Sequence, residues 1–161
     1  MLFRATEYFR KITDITPEFL VENNIKGLIL DVDNTLTTHD NPVPAEGVTK
    51  WILNMKKNKI RLIIVSNNHS PRVKPFADML GIDFICEGKK PLANGFKQAI
   101  KKLRLPKERI SAVGDQIFTD VHGANLFGIR MLYTAPIEPE KTTFFKVKRT
   151  LEKPFLPKKF Y

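Results

Sequence analysis

The 161-residue sequence has little cysteine and no long apolar run, and these absences exclude several classes of protein. Cys86 is its single cysteine, so an internal disulfide framework is excluded and a reducing compartment is favoured. No stretch approaches the ~18 consecutive apolar residues that a membrane-spanning helix needs. The opening residues, MLFRATEYFRKITDITPEF, carry charges every few positions and have no apolar signal-peptide segment. We therefore expect a cytoplasmic protein with no transmembrane segment.

Acidic residues are also few relative to basic ones. Lys and Arg number 27 against 17 Asp and Glu, which gives a net charge of +10. Residues 141–161 hold seven of these basic groups and one acid, Glu152, so this short stretch carries +6. Hydrophobic residues are 42% of the chain and charged residues 27%, a balance typical of globular proteins. The composition predicts a single domain over 1–161, with a body at about 25–135 and a basic, aromatic tail at about 141–161.

The body alternates short apolar runs with helical periodicity. The runs predict five strands, at residues 27–31, 61–66, 83–87, 110–115 and 130–134. Between them, apolar residues recur at helical spacing over 48–55, 73–80, 92–103 and 119–127. This pattern favours an α/β fold: a doubly wound, mostly parallel, five-stranded sheet with helices on both faces.

Polar groups follow four of the five predicted strands. In such a sheet, ligands bind at the carboxyl ends of the strands. The groups that this edge gathers are Asp31, Asp33, Ser66, Lys90 and Asp115, with Asp120 five residues beyond the last. Clustered carboxylates repel one another in a partly desolvated site, and a hard divalent cation such as Mg²⁺ relieves that repulsion. The lysine and the hydroxyl are suited to phosphate oxygens. The edge therefore predicts phosphoryl chemistry with one carboxylate as nucleophile and another as acid and base.

The four segments DVDNT, SNN, KKP and GDQIFTD, in this order, resemble the four motifs of the haloacid dehalogenase superfamily of phosphatases. The resemblance covers about residues 25–135. It implies a Rossmann-like fold, Mg²⁺ as cofactor and a set of site residues. The implied catalytic residues are Asp31 as nucleophile, Asp33 as general acid and base, Ser66 and Lys90. The implied substrate-binding residues are Thr35, Ser66, Asn67 and Lys90, and the implied metal ligands are Asp31, Asp33 through its carbonyl, Asp115 and Asp120.

Many enzymes of this superfamily select small substrates with an inserted cap domain. Here 30 residues separate Thr35 from Ser66 and 23 separate Ser66 from Lys90, and one helix with one strand fills most of each interval. We therefore expect no cap domain and an open active site. Such a site fits a phosphate group carried by a large substrate: a protein, a nucleic-acid end or a lipid headgroup at a membrane.

Among capless members, the chain looks like the bacterial YqeG-type family, which is similar to phosphatidylglycerophosphate phosphatases. The resemblance implies a phosphomonoester on a membrane lipid headgroup and a role in phospholipid biosynthesis. The composition agrees, because aromatic and basic residues alternate in the tail and near the N-terminus, as in surface-bound membrane proteins. The aromatic and apolar residues concerned are Leu2, Phe3, Tyr8, Phe9 and Ile12 at the N-terminus and Val147, Leu151, Phe155, Leu156, Phe160 and Tyr161 in the tail. We expect Phe144 and Phe145 to pack onto the domain instead.

Two other functions stay open. A soluble phosphatase could act on protein, nucleic-acid ends or small phosphoesters. A non-catalytic module could bind RNA or protein, since aromatic and basic residues together also fit single-stranded nucleic acid. The complete set of site residues disfavours such a module. The localisation we expect is cytoplasmic, peripheral on the inner membrane face if the substrate is a lipid, and the oligomeric state is not predicted.

Overall fold

The computed structural model describes residues 2–161 as a six-stranded parallel sheet covered by helices. In chain order, the strands are β1 (Glu7–Phe9), β2 (Gly27–Leu30), β3 (Arg61–Val65), β4 (Asp83–Ile85), β5 (Ile110–Gly114) and β6 (Arg130–Thr134). Their order across the sheet is β1-β6-β5-β2-β3-β4, and every pairing is parallel. The doubly wound α/β prediction is confirmed, but the predicted count of five strands is wrong because β1 adds a sixth.

Helices cover both faces of this sheet. They are α1 (Pro17–Glu22), α2 (Val48–Lys57), α3 (Ser70–Leu80), α4 (Asn94–Leu103), α5 (His122–Phe127) and α6 (Thr143–Glu152). Helices α1, α2 and α3 bury their apolar sides in one core, and α4 and α5 contribute to the core on the opposite face. The four residues of β2 are all buried, as expected for a central strand covered on both sides.

Local sequence explains most helix boundaries. Pro17 occupies the first turn of α1, and the side chain of Thr16 accepts a hydrogen bond from the Phe19 N–H, which caps that helix. Gly81 ends α3 with φ of 60°, a left-handed conformation that glycine adopts without a Cβ penalty. Leu92 departs from the prediction, because it lies before α4 and is exposed instead of buried.

The N-terminal residues that the composition assigned to a membrane surface lie partly in the core. Phe9 is 0% exposed and Ile12 is 2% exposed. Strand β1 pairs with the edge of the sheet at β6, and the Phe9 ring packs against Phe19 and against Tyr161 from the chain end. A membrane contact through Phe9 or Ile12 is therefore wrong, because edge pairing and aromatic packing already bury them.

The segment 141–161 is folded onto the domain. It forms α6 and a short 3-10 turn, and its Phe155 and Phe160 pack against the core. Phe145 is half-buried, with its ring 5.5 Å from that of His39. Phe144 is 73% exposed, so its predicted packing is wrong, since α6 turns it outward.

The sequence predicts neither an inserted cap domain nor a membrane-spanning helix. The connection from β2 to α2, residues 31–47, forms loops and turns, and the one from β3 to β4 holds only α3. No cap domain is inserted within residues 2–161, as the spacing predicted. No helix in the same range is both long and apolar enough to cross a bilayer.

Candidate active site

The sheet order places the predicted motifs side by side. Asp31 directly follows β2, whose neighbours are β3 and β5. Ser66 follows β3 and Asp115 follows β5, so all three lie at the carboxyl edge of adjacent parallel strands. Lys90 enters from the connection between β4 and α4. The structure thus brings the predicted residues together around Asp31.

Lys90 is the buried cation of the site. Its Nζ donates to Asp31 Oδ1 and to Asp120 Oδ1, each at 2.6 Å. The Asn67 side chain fixes the lysine backbone, because its Nδ2 donates to the Lys90 carbonyl at 3.1 Å and its Oδ1 accepts from the Lys90 N–H at 2.7 Å. Lys89 is exposed, so Lys90 is the lysine of the KKP segment that faces the aspartates.

Three buried carboxylates form a cluster that could hold a cation. Oxygen atoms of Asp31, Asp115 and Asp120 lie within 4.8 Å of one another. Asp115 is 0% exposed, and its Oδ1 has no hydrogen-bond partner among the described residues. A buried carboxylate oxygen without a partner is costly, and a hard cation such as Mg²⁺ would satisfy it. The donor set therefore fits the cation that the sequence predicted.

Glycine at position 114 makes room for this cluster. A Cβ there would lie 2.5 Å from the Asp120 Cγ, far inside van der Waals contact. Asp120 itself lies on a π-helical turn, Ile117–Val121, and its Oδ2 accepts the Gln116 N–H at 3.1 Å. The close approach of β5 and this turn is what brings Asp120 to Lys90.

The electrostatics of the cluster follow from burial. Burial raises the pKa of Asp31 from 3.8 to about 6, against the opposing effect of Lys90. Burial also raises the pKa of Asp115 well above its ordinary value, although Arg149 acts in the other direction. For Lys90, burial lowers the pKa, but the charges of Asp120 and Asp31 outweigh it and the pKa is raised. Without a divalent cation, Asp31 and Asp115 therefore hold protons more readily than exposed carboxyl groups do, and Lys90 stays charged.

Asp33 faces a different set of partners. Its Oδ1 accepts from Arg72 Nη2 at 2.9 Å and from the Asp40 N–H at 3.2 Å, and its Oδ2 accepts from Asn68 Nδ2. The carboxylate is 11% exposed and lies outside the three-aspartate cluster. Its contribution to a metal through the carbonyl stays a prediction. Arg72 on α3 was missed, because nothing in the sequence pairs it with a residue 39 positions away.

Ser66, Asn67 and Thr35 complete the predicted set. The Ser66 hydroxyl is buried and accepts the Asn68 N–H at 3.1 Å, which leaves its own proton free to donate to a ligand. The Asn67 side chain hydrogen-bonds the Lys90 backbone through both Nδ2 and Oδ1, and a contact between the Asn67 backbone and a substrate oxygen stays a prediction. Thr35 is 2% exposed, and its hydroxyl has no partner among residues 2–161.

Arg149 is the main site residue that sequence reasoning missed. The composition places it in the basic tail, and in the structure its guanidinium forms ion pairs with Asp115, with Glu140 and with Glu152. It also donates to the Asp115 carbonyl, and the neighbouring Lys148 donates to Gln116. Glu140 in turn contacts His39 Nε2 at 2.9 Å, and Glu152 accepts the Phe118 N–H at 3.0 Å. Part of the basic tail at 141–161 therefore lies against the site aspartate Asp115.

The fold and this site agree with the family comparisons. The family model for haloacid dehalogenase-like hydrolases matches residues 38–128, a range that includes Ser66, Lys90, Asp115 and Asp120 and begins after Asp33. The chain belongs to this hydrolase family. The predicted resemblance and the prediction of an enzyme of the phosphatase class are confirmed.

Relatives place the chain more closely within the family. It is 38% identical over 154 residues to the probable phosphatase YqeG of Bacillus subtilis, covering 96% of this chain and 90% of the relative. It is 30% identical over 122 residues to the mitochondrial phosphatidylglycerophosphatase GEP4 of Saccharomyces cerevisiae, covering 67% of this chain and 65% of that protein. A crystal structure of a haloacid dehalogenase-like hydrolase from Brucella suis shares the fold, with a TM-score of 0.58, 12% identity and coverage of 79% of this chain and 93% of that one.

Proposed function

We propose that the protein is a Mg²⁺-dependent phosphomonoester hydrolase that acts through an aspartyl-phosphate on Asp31. The observation that carries the proposal is the buried group around Asp31. Lys90 lies 2.6 Å from its carboxylate, and two further carboxylates lie within 4.8 Å. The site thus brings together a nucleophile, a cation that can offset phosphate charge and a set of oxygen ligands for a hard metal ion.

In the first proposed step, an Asp31 oxygen attacks phosphorus, and the bond from phosphorus to the leaving oxygen breaks. Asp33 gives its proton to that oxygen, so the alcohol leaves neutral. In the second step, Asp33 takes a proton from water, whose oxygen attacks the same phosphorus. Asp31 then leaves as a carboxylate with inorganic phosphate as product. Lys90, the Ser66 hydroxyl and the Asn67 backbone offset the negative charge of the phosphoryl oxygens.

Asp31, Asp115 and Asp120, with the carbonyl of Asp33, are the groups that we propose for Mg²⁺. When bound, the ion would neutralise phosphoryl charge and hold the phosphate in line with Asp31. The unpartnered Oδ1 of Asp115 supports this assignment. Arg149 holds the other oxygen of Asp115, and so leaves Oδ1 as the oxygen available to a ligand.

For the substrate, we propose a membrane lipid headgroup phosphate, with phosphatidylglycerophosphate as the first candidate. The relative from yeast is named a phosphatidylglycerophosphatase, and an uncapped site admits a substrate that belongs to a large assembly. We further propose that the enzyme works from the cytoplasmic side, bound peripherally to the membrane surface.

A phosphate-release screen tests the substrate. Purified protein with Mg²⁺ is given phosphatidylglycerophosphate in mixed micelles beside glycerol 3-phosphate, a phosphoserine peptide, a 5′-phosphorylated oligonucleotide and p-nitrophenyl phosphate. We expect the highest kcat/KM for the lipid, and the Asp31→Asn variant serves as the background. A higher kcat/KM for a soluble phosphoester would contradict the lipid substrate, and no release from any compound would contradict the phosphatase proposal.

The role of Asp33 has its own test. Asp33→Asn should slow hydrolysis of an alkyl phosphate more than that of p-nitrophenyl phosphate, because nitrophenolate leaves without a proton. Steady-state kcat for both substrates gives the comparison. Equal losses on the two would show that Asp33 only positions other groups.

A further inference from the structure

A large groove lies beside the active-site loop at the carboxyl edge of the sheet. It has a volume of about 1020 Å³, at the upper end of the range for small-molecule sites. Its walls come from the segments after β1 and β6 and from helix α2. Thr35, two residues after Asp33, also lines it, so the groove adjoins the segment that carries the proposed acid.

Apolar side chains form part of the lining of this groove. Ile12 and Val48 are buried there, while Leu53 on α2 is 61% exposed and Ile137 is 42% exposed. Exposed apolar side chains that line a cavity mark a binding surface more strongly than scattered ones do.

Basic side chains line the same groove. The groove is lined by four cations and one acid, Glu46, and the cations are Arg10, Lys11, Lys50 and Lys57. None of the four forms an ion pair with another described residue. An occupant should therefore be both apolar and anionic.

We propose that this groove binds an acyl chain and the phosphodiester of an anionic phospholipid, while the terminal phosphate of the same molecule reaches Asp31. This inference rests on the proposed lipid phosphatase function and adds a binding site to it. One molecule of this kind accounts for the apolar part of the lining, for the unpaired cations and for the position of the groove next to Thr35.

The chain carries a natural reporter of this site. Trp51 is the single tryptophan of the sequence and lines the groove. It is 5% exposed, and its indole N–H donates to the Ile15 carbonyl at 2.7 Å. Its emission should therefore respond to an occupant of the groove and to little else on the surface.

The experiment uses Mg²⁺-free protein and three soluble probes, with Trp51 fluorescence as the readout. The probes are dihexanoyl phosphatidylglycerol below its micelle concentration, the same headgroup without acyl chains, and dihexanoyl phosphatidylcholine. None carries a phosphomonoester, so turnover does not interfere. We expect saturable binding of phosphatidylglycerol at least tenfold tighter than either other probe.

Variants locate the binding. Leu53→Glu places a charge in the apolar part of the lining, and Lys50→Gln with Lys57→Gln removes two cations, so each should weaken phosphatidylglycerol binding at least fivefold. Leu126→Glu is the matched control, because Leu126 is similarly exposed, at 56%, and does not line the groove. Circular dichroism confirms that each variant is folded.

Several results would overturn the groove assignment. These are equal affinity for the headgroup alone, unchanged binding by folded Leu53→Glu, or displacement of the lipid by polyglutamate at the same concentration, which would indicate an acidic protein partner. Hydrolysis of p-nitrophenyl phosphate without lipid binding would refute the groove and leave the phosphatase proposal intact. Lipid binding without hydrolysis of any phosphoester would refute the phosphatase proposal and leave the groove assignment intact.

Discussion

At the residue scale, the site is a balance of buried charges around Asp31. Three carboxylates lie together there, and Lys90 bridges two of them through Nζ. Like charges that lie this close favour protonation or a bound cation. Burial, with a smaller contribution from the neighbouring carboxylates, raises the pKa values of Asp31 and Asp115, so protons and a divalent cation should compete for the same oxygens.

This competition predicts how Mg²⁺ binding depends on pH. Above about pH 6, Asp31 is charged and can bind the ion, and below it the proton displaces the ion. Mg²⁺ should therefore raise the melting temperature clearly at pH 7.5 and much less at pH 5. Differential scanning fluorimetry with Mg²⁺ against EDTA gives the measurement, and an equal rise at both pH values would contradict the assignment.

In the metal-free protein, the raised pKa of Asp31 also predicts how folding stability depends on pH. The pKa of Asp31 is raised on folding, so between about pH 4 and 6 the folded state holds a proton that the unfolded state has lost. The contribution of Asp31 to stability should therefore fall as the pH rises through this window. Asp31→Asn should flatten that part of the stability profile in EDTA, and an unchanged profile would count against the raised pKa.

At the scale of elements, helix α6 is part of the site. Its Arg149 is the cation that faces three buried carboxylates, those of Asp115, Glu140 and Glu152. Removing one partner of a buried ion pair leaves uncompensated charge, which costs about 3–5 kcal/mol. The helix should therefore stabilise the fold as well as orient Asp115.

Arg149→Met tests this role, because methionine keeps part of the aliphatic stem and removes the charge. We expect the free energy of unfolding in urea to fall by about 3–5 kcal/mol at pH 7. Lys146→Met on the same helix is the matched control, since Lys146 is exposed and unpaired among the described side chains, and it should change stability by no more than about 0.5 kcal/mol. A loss below about 1 kcal/mol for Arg149→Met would show that the network is not structurally important.

The elements also show what the sequence could predict. Strands β2 to β6 were predictable because buried parallel strands form continuous apolar runs, and the strand-end rule then located Asp31, Ser66 and Asp115. Strand β1 was missed because its three residues pair only at one edge and carry no clear pattern. Arg149 was missed because the composition of a basic run does not show which of its residues is buried. Only the position of α6 beside the segment that follows β5 distinguishes Arg149 from the exposed lysines of the same run.

At the scale of the whole molecule, the seven basic groups of the tail have different surroundings. Arg149 and Lys148 face the site, and Lys141 is exposed but forms an ion pair with Glu138. The other four are exposed and form no ion pair among the described residues: Lys146, Lys153, Lys158 and Lys159. Exposed basic groups near an anionic membrane contribute about 1 kcal/mol each, and salt weakens that attraction. A peripheral membrane contact would thus depend mainly on these four exposed, unpaired lysines.

Replacing these four lysines by Gln should reduce co-sedimentation with phosphatidylglycerol-containing vesicles at low salt. The matched control changes four other exposed lysines to Gln: Lys26, Lys59, Lys97 and Lys101. Lys26 and Lys59 precede β2 and β3, and so lie at the opposite edge of the sheet from the site. Equal loss in both variants would indicate a nonspecific charge effect, and no binding by the unmodified protein would contradict a membrane contact through this surface.

The most direct measurement is phosphate release by Asp31→Asn. Asparagine keeps the shape of the side chain but is a far weaker nucleophile, so turnover of p-nitrophenyl phosphate with Mg²⁺ should fall by at least about 10³-fold. Asp83→Asn is the control, because Asp83 is exposed, pairs with Lys102 and lies away from Asp31. The proposed chemistry predicts loss of activity in folded Asp31→Asn and normal activity in Asp83→Asn. Activity of purified Asp31→Asn within tenfold of the unmodified protein would contradict covalent catalysis by Asp31.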